Sequence, residues 1–207
     1  KRTLPADFTG QVDCCLLSDF ANIPDISLCS RMHKLSHAEL MQQRLTEHQV
    51  RGTPRFPVTM VLQNVRSRYN VGSIFRSADA FRINRLVLTG FTPAPPSAEI
   101  SKTALGSERT VPFVHIPDIH EAITNLEQDN HTIVALELAE PSVRLTDVVS
   151  EQYPLAIIVG NELTGITDDV LHRCSAAITI PMYGVKHSLN VAVAAGIAMY
   201  QLTLRLP

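Results

Sequence analysis

The chain has 207 residues, with 18 Lys and Arg against 20 Asp and Glu, for a formal net charge of −2. That length suits one α/β domain with a short extension, and 45% hydrophobic against 18% charged residues excludes a wholly disordered chain. No run approaches the roughly eighteen consecutive apolar residues of a membrane span, and the opening KRTLPADFTGQVD lacks the apolar stretch of a signal peptide, so a soluble, cytoplasmic protein is expected.

The charge balance argues against a uniformly basic nucleic-acid binder but leaves room for a local basic patch. Cys14, Cys15, Cys29 and Cys174 form no CxxC pair and have no His at zinc spacing. Free thiols and no metal site are expected.

Residues 1–31 lack periodicity, and a loosely ordered arm is expected there. Met32 opens a more regular segment. Two readings stay open: an ordinary N-terminal arm, or a native start at Met32 preceded by a translated extension. Residues 32–54 are read as a helical extension. Within it, 36–49 is predicted as one mostly polar helix, with Ser36 as N-cap and Glu39 completing a capping box. Gly52, Pro54 and Pro57 end that pattern.

From residue 55 onward strand and helix alternate. A strand is predicted at 58–62, then a helix at 71–81 from the spacing of Val71, Ile74, Phe75, Ala78 and Phe81. There follow a strand at 85–89, a Pro-rich loop, a short helix around 103–105, a strand at 112–116, a helix at 119–127 and a strand at 132–137. The strand at 155–159, LAIIV, is apolar on both faces and must be covered above and below, as in a parallel sheet between helices. A short helix at 168–172, a strand at 177–181 and a closing helix at 188–204 complete the chain. Repeated β-α units of this size predict an open, doubly wound sheet with ligands at the carboxyl ends of its strands.

Three strand-end segments are rich in polar and small residues. In 64–76, NVRSRYNVGSIFR, Asn70 is placed as a helix N-cap, Gly72 permits close backbone approach, and Arg76 lies off the apolar stripe. Arg66, Arg68 and Arg76 around this turn suit a phosphate-bearing partner, although a capped helix with solvated arginines accounts for the spacing equally well. In 157–166, IIVGNELTGI, glycines at a strand end let a ligand lie on the backbone, or simply allow a tight turn. The segment is neither a Walker A loop nor GxGxxG. In 178–202 a strand ends at Pro181, and the helix VAVAAGIAMY is apolar nearly all round, so burial on most sides is predicted. Ser188 and Asn190 fall at its N-terminus, where free N–H groups favour an anionic or carbonyl-bearing ligand. By itself Ser188 reads more simply as a cap.

In this order the three segments resemble the signature motifs of the SpoU–TrmH branch of the SPOUT methyltransferases. NxxxxxNxGxxxR is met by Asn64, Asn70, Gly72 and Arg76, IVGNExxGI by 158–166, and IPMxGxxxSLNVAxAxGI by 180–197. The resemblance covers the last two-thirds of the chain and makes 55–207 a SpoU-type methyltransferase domain. It implies an α/β, open parallel-sheet SPOUT fold with a C-terminal deep trefoil knot, a topology that strand counting does not supply and that is rare in proteins. It implies S-adenosylmethionine as methyl donor, held by Leu136, Glu137, Gly160, Ile180, Met182 and Leu189, and a ribose 2′-hydroxyl of transfer or ribosomal RNA as acceptor. The catalytic set it implies is Arg76, Asn70, Glu162, Ser188 and Asn190. Homodimerisation through the knot helices is also implied.

The resemblance gives Arg76 the activation of the hydroxyl, and two chemical readings stay open. Arg76 is a true base held neutral by its site, or it stays charged, orients the hydroxyl and stabilises the forming alkoxide. Arg66, Arg68, Lys102 and Arg109 are expected to form one phosphate-gripping patch. Tryptophan is absent, so recognition by shape and backbone is expected more than base reading. Two competing classes are a non-catalytic RNA-binding or ribosome-assembly factor and a nucleotide-dependent oxidoreductase. The missing GxGxxG counts against the second.

Overall fold

The computed structural model describes residues 34–204 and 206. The expected arm at 1–31, the alternative start at Met32, and Cys14, Cys15 and Cys29 lie outside them. The chain divides into two units, one ending at Arg44 and one beginning at Leu45. The first contains helix α1 (His37–Gln43), where Ser36 and Glu39 form the expected capping box. The predicted single helix over 36–49 is two helices. Arg44 turns extended, and Thr46 starts α2 (Glu47–Gly52) with a second capping box completed by Gln49. Two start signals ten residues apart compete for one short polar stretch, and each caps its own helix.

The second unit continues β1 (Phe56–Gln63), α3 (Arg68–Ala80), β2 (Ile83–Thr89), α4 (Ala98–Ala104), β3 (Phe113–Ile116), α5 (Ile119–Gln128), β4 (Thr132–Leu136), β5 (Ser142–Arg144), β6 (Leu155–Val159), α6 (Asp168–Leu171), β7 (Ala176–Thr179) and α7 (Val191–Thr203). The seven strands lie in the order β3-β2-β1-β6-β4-β7-β5, and every neighbouring pair is parallel. Every predicted strand is present. The one missed, β5, is a three-residue edge strand of sequence SVR with little buried surface, too short and polar to show a period-2 pattern.

The central strands sort their side chains by parity. Val58, Met60 and Leu62 of β1, with Leu155, Ile157 and Val159 of β6, join the layer formed with α3, α4 and α7. Val61, Ala156 and Ile158 join the layer formed with α5 and α6. A sheet covered on both faces explains why all five residues of LAIIV are buried.

Helix α7 is buried less completely than its composition predicts. Ala195, Ala198, Met199 and Leu202 are fully buried, while Val193, Ile197, Tyr200 and Leu204 on the opposite face are 51%, 38%, 52% and 61% exposed. One chain supplies enough surface to cover one side of this helix.

At Gly72, α3 meets α4 so closely that an added Cβ would overlap Thr103 Oγ1 and the Ile100 carbonyl oxygen. Alanine normally favours a helix over glycine by about 1 kcal/mol, but overpacking against backbone costs about 1–3 kcal/mol. Gly72→Ala is therefore expected to lower the urea midpoint of unfolding. A raised midpoint would show that the α3–α4 contact yields easily.

Candidate active site

The three motif segments meet at the carboxyl edge of the sheet. Helix α3 is capped by Ser67, whose side chain accepts from the Asn70 amide at 3.2 Å. Asn70 is therefore not the N-cap expected from its position. It sits inside the first turn, with its side chain free for longer-range bonds. Its Nδ2 donates to Glu162 Oε1 at 2.9 Å, and its Oδ1 accepts from Asn190 Nδ2 at 3.2 Å. Asn190, not Ser188, caps α7, accepting from the amides of Ala192 and Val193 at 2.9 and 3.4 Å. The Glu162 carboxylate also accepts from the amides of Arg66 at 2.9 Å and Ser67 at 3.1 Å. One hydrogen-bonded chain, Glu162–Asn70–Asn190, thus joins the loops after β1, β6 and β7.

Burial alone pushes the Glu162 carboxyl upward, but the bonds from Arg66, Asn70 and Ser67 outweigh it and hold it below its ordinary value. A charged acceptor with several donors is the stronger form of such a contact.

Asn161 fastens the same loops from the other side. Its Nδ2 donates to the Asn64 carbonyl at 2.8 Å, and its Oδ1 accepts from the amides of Leu163 and Thr164 at 2.8 and 3.3 Å. The turn closes by paired backbone bonds between Asn161 and Gly165. A Cβ at Gly160 would strike the Gly165 backbone. That glycine first serves the turn's own closure, and the backbone approach expected of a ligand is already made by the chain itself.

Beside this network lies a cavity of about 700 Å³, within the usual range of about 300–1,000 Å³ for small-molecule sites. It is walled by the ends of β4, β6 and β7. Leu136, Glu137, Gly160, Ile180, Met182 and Leu189 all line it, together with Glu162, Ser188 and Asn190. The Glu137 carboxylate accepts from the amides of Leu138 at 2.9 Å and Ile166 at 3.3 Å, so it is fixed at the rim. Asn161, Thr164 and His187 also line the cavity and were not singled out from sequence. Asn161 was legible in principle, because an Asn after a strand-end glycine readily bonds backbone two residues on. His187 carries no such signal.

Arg76 stands apart. It is exposed on α3, lines neither this cavity nor a second one of about 590 Å³ between α3 and α7, and has no hydrogen bond or ion pair among the described residues. The second cavity is bordered by Asn70, Ser73, Ser77 and Asn190 with the exposed face of α7. Within one chain the guanidinium is not brought to the donor-sized cavity.

The four cations expected in one patch are also divided. Arg66 and Arg68 flank the β1–α3 turn, with Arg68 donating to Ser97 Oγ at 3.4 Å. Lys102 is exposed on α4. Arg109 precedes β3 at the opposite, amino edge of the sheet, beside Thr110, whose carbonyl takes a bond from Arg55, and it pairs with Glu47 at 3.7 Å. The segment KTALGSER runs back along the sheet, which separates its two cations. Among the described residues no cluster of His, Cys, Asp or Glu could hold a metal ion, and no helix is long and apolar enough to cross a membrane. Burial pushes the Cys174 thiol up to about 11, which leaves it a core residue.

A carboxyl held below its ordinary value stabilises the folded state above that value, and the contribution fades as pH falls through the depressed one. The melting-temperature gap between the native protein and Glu162→Gln is expected to be widest at neutral pH and to close below the ordinary glutamate value of 4.5. Thermal melts across that range check it, and a gap independent of pH would count against a charged Glu162 as the centre of the network.

Comparison with known proteins agrees with this geometry. The family described as SpoU rRNA Methylase matches residues 57–200. The tRNA (guanosine(18)-2′-O)-methyltransferase of Thermus thermophilus is 31% identical over 163 residues, 79% of this chain and 81% of that protein. The crystal structure of the A. aeolicus TrmH/SpoU tRNA modifying enzyme superposes with a TM-score of 0.68 at 26% identity, over 77% of this chain and 81% of that one. The AdoMet-bound rRNA methyltransferase of Sinorhizobium meliloti gives a TM-score of 0.68 at 27% identity, over 76% of this chain, which spans 60% of that protein's length. A family match running from β1 into α7, on a sheet whose motif loops share one hydrogen-bond network, places this chain in the SpoU rRNA methylase family.

Proposed function

We propose that the protein transfers a methyl group from S-adenosylmethionine to a ribose 2′-hydroxyl of a structured transfer or ribosomal RNA. The observation that carries this reading is the Glu162–Asn70–Asn190 chain bordering a cavity of about 700 Å³ at the carboxyl ends of three strands. The residues present suit the donor. Leu136, Ile166, Ile178, Ile180 and Leu189 offer apolar walls for a flat base, and the fixed carboxylate of Glu137 offers a counter-charge for a cationic ligand. When bound there, S-adenosylmethionine supplies an activated methyl group on sulfur.

The chain's own residues do the rest. Glu162 and Asn190 hold Asn70 in one orientation, and Ser188 and Asn190 line the cavity that would hold the donor. Arg76 stays charged, since a guanidinium resists deprotonation in proteins. It orients the ribose hydroxyl and stabilises the alkoxide character that develops as the hydroxyl proton passes to solvent water, while the ribose oxygen bonds to the methyl carbon, the donor's carbon–sulfur bond breaks and the sulfur leaves as a neutral thioether.

Because Arg76 lies outside its own chain's cavity, a second copy completes the site. The stripe of Val193, Ile197 and Tyr200 on α7, exposed beside the second cavity, is the surface that this copy covers. The deep C-terminal knot is part of the same reading. Its support is that the loops after β4, β6 and β7 all wall one cavity, while β7 lies between β4 and β5. Arg66 and Arg68, with Lys102 near them, grip RNA phosphates, while Arg109 is excluded from that patch by its place at the opposite edge. A cytoplasmic location goes with that substrate.

Arg76→Ala is expected to abolish methyl transfer to RNA, by about a hundredfold or more for loss of an alkoxide-stabilising donor, while donor affinity by calorimetry stays within about twofold. Wild-type turnover in that variant refutes its role. The double variant Val193→Asp, Ile197→Asp is expected to run as a monomer by light scattering, to bind the donor and to lose methyl transfer. An active monomer refutes the shared site.

A further inference from the structure

Among the described residues, one aromatic ring is held out at the carboxyl edge by a turn whose backbone is fixed on both sides. Phe91 follows β2 and is 62% exposed. Its amide donates to Asn64 Oδ1 at 3.2 Å. Gly90 before it takes φ +61°, and an added Cβ there would collide with the Asn64 side chain. The Gly90 amide donates to the Pro117 carbonyl at 2.9 Å, and its carbonyl lies 3.3 Å from His115 Nε2. Thr92 after it is 2% exposed, donates to the Leu62 carbonyl at 3.0 Å, and accepts from the Val65 amide at 3.0 Å. Two anchored residues thus flank a ring that gains little burial in its own chain.

The anchoring partner connects this ring to the site. Asn64 itself adopts φ 55°, and its carbonyl takes the bond from Asn161, the residue before Glu162. Two residues beyond Asn64 is Arg66, whose amide binds Glu162 and whose guanidinium has no partner among the described residues. An exposed apolar ring and an exposed cation, unpaired among the described residues, are therefore carried on two segments that Asn64 and its neighbours hold together.

Resting on the reading of the site as an RNA methyltransferase, we infer that Phe91 is a stacking platform for a nucleobase of the substrate RNA, with Arg66 taking a neighbouring phosphate. A nucleobase with its phosphate fits this pair better than an apolar protein surface does, because a cation on the neighbouring segment is costly to bury without an anion. A ring with a fixed backbone loses little freedom on stacking, and base–aromatic stacking tolerates any base. Aromatic stacking of this kind adds a contact that the absence of tryptophan had seemed to remove.

The lack of native tryptophan also gives a clean test. Phe91→Trp supplies the protein's one indole, on an exposed residue with room for it. Two probes are used, unmodified transfer-RNA transcripts and a 23S ribosomal RNA transcript, and the one that wild type binds more tightly by fluorescence anisotropy carries the comparison. Phe91→Ala is expected to weaken RNA binding and raise the KM for RNA about tenfold, with donor affinity and kcat unchanged. Phe91→Trp is expected to restore both and to show quenched emission when RNA is saturating. Phe91→Leu, apolar but without a π face, is expected to remain defective. RNA binding without quenching, rescue by leucine equal to that by tryptophan, or a change of oligomeric state in Phe91→Ala with unaltered RNA affinity would each overturn the platform and leave the methyltransferase reading intact. Failure of wild type to bind either RNA overturns both.

Discussion

The Glu162 carboxylate organises the carboxyl edge of this sheet. It accepts from two backbone amides of the β1–α3 turn and from Asn70, and through Asn70 it reaches the cap of α7. Asn70 and Glu162 are each spared an ordinary local job that a neighbour performs. Ser67 caps α3, so Asn70 is released from capping. Asn161 closes its own turn, so Glu162 can turn outward to the neighbouring loop. Three loops far apart in sequence then hold one geometry through hydrogen bonds alone among the contacts of Glu162, Asn70, Asn161 and Asn190. A carboxylate with several donors fixes direction as well as proximity, whereas an apolar contact would fix only proximity.

How much of this was legible in the sequence depends on the range of the force involved. LAIIV announced a strand covered on both faces because burial is written into composition residue by residue, and β6 has the predicted bounds. Ser36 and Glu39 announced a capping box for the same local reason. The break at Arg44 was missed because Thr46 and Gln49 form an equally good box ten residues later, and local signals do not rank themselves. The helix caps at Ser67 and Asn190 were misplaced because the motif residues draw attention from the commoner job nearby. The lining of the cavity was legible through resemblance, since the six residues expected to hold the donor all border it. The separation of Arg109 from Arg66 was not, because it depends on the segment after α4, which leaves α4 beside Gly72 and reaches Asp79 and Arg55 at Thr110.

Arg76 lies outside the cavity of its own chain, and on the proposed reading one chain is half a site. Everything expected to hold the donor converges within one chain, while the residue expected to act on the acceptor stands on the outer surface of α3. The same helix pair leaves an apolar stripe uncovered on α7. These two features have one physical resolution. Burying Val193, Ile197 and Tyr200 against another copy would recover about 25 cal/mol for each square ångström of apolar surface, and the association would set the acceptor half of one chain against the donor half of another. A catalyst built this way would be active only when assembled, and the uncovered stripe on α7 would then be a condition of function.

A net charge of −2 also acquires a meaning from the placement of the cations. RNA affinity grows with the number of phosphates neutralised, and it falls steeply with salt when that number is large. Here Arg109 is spent on Glu47 at the far edge, and Arg85 and Arg173 are paired with Asp129 and Glu127. Few cations remain beside the cavity to grip a backbone. With so little phosphate contact available, shape and the exposed Phe91 ring carry a larger share of recognition on the proposed reading. Such binding depends weakly on salt and discriminates by whether a base can be splayed out to reach the ring. On the proposed reading, an unstacked nucleotide would reach the Phe91 ring and the cavity more readily than one held in a duplex, so an almost neutral chain of this construction would favour looped over duplex RNA.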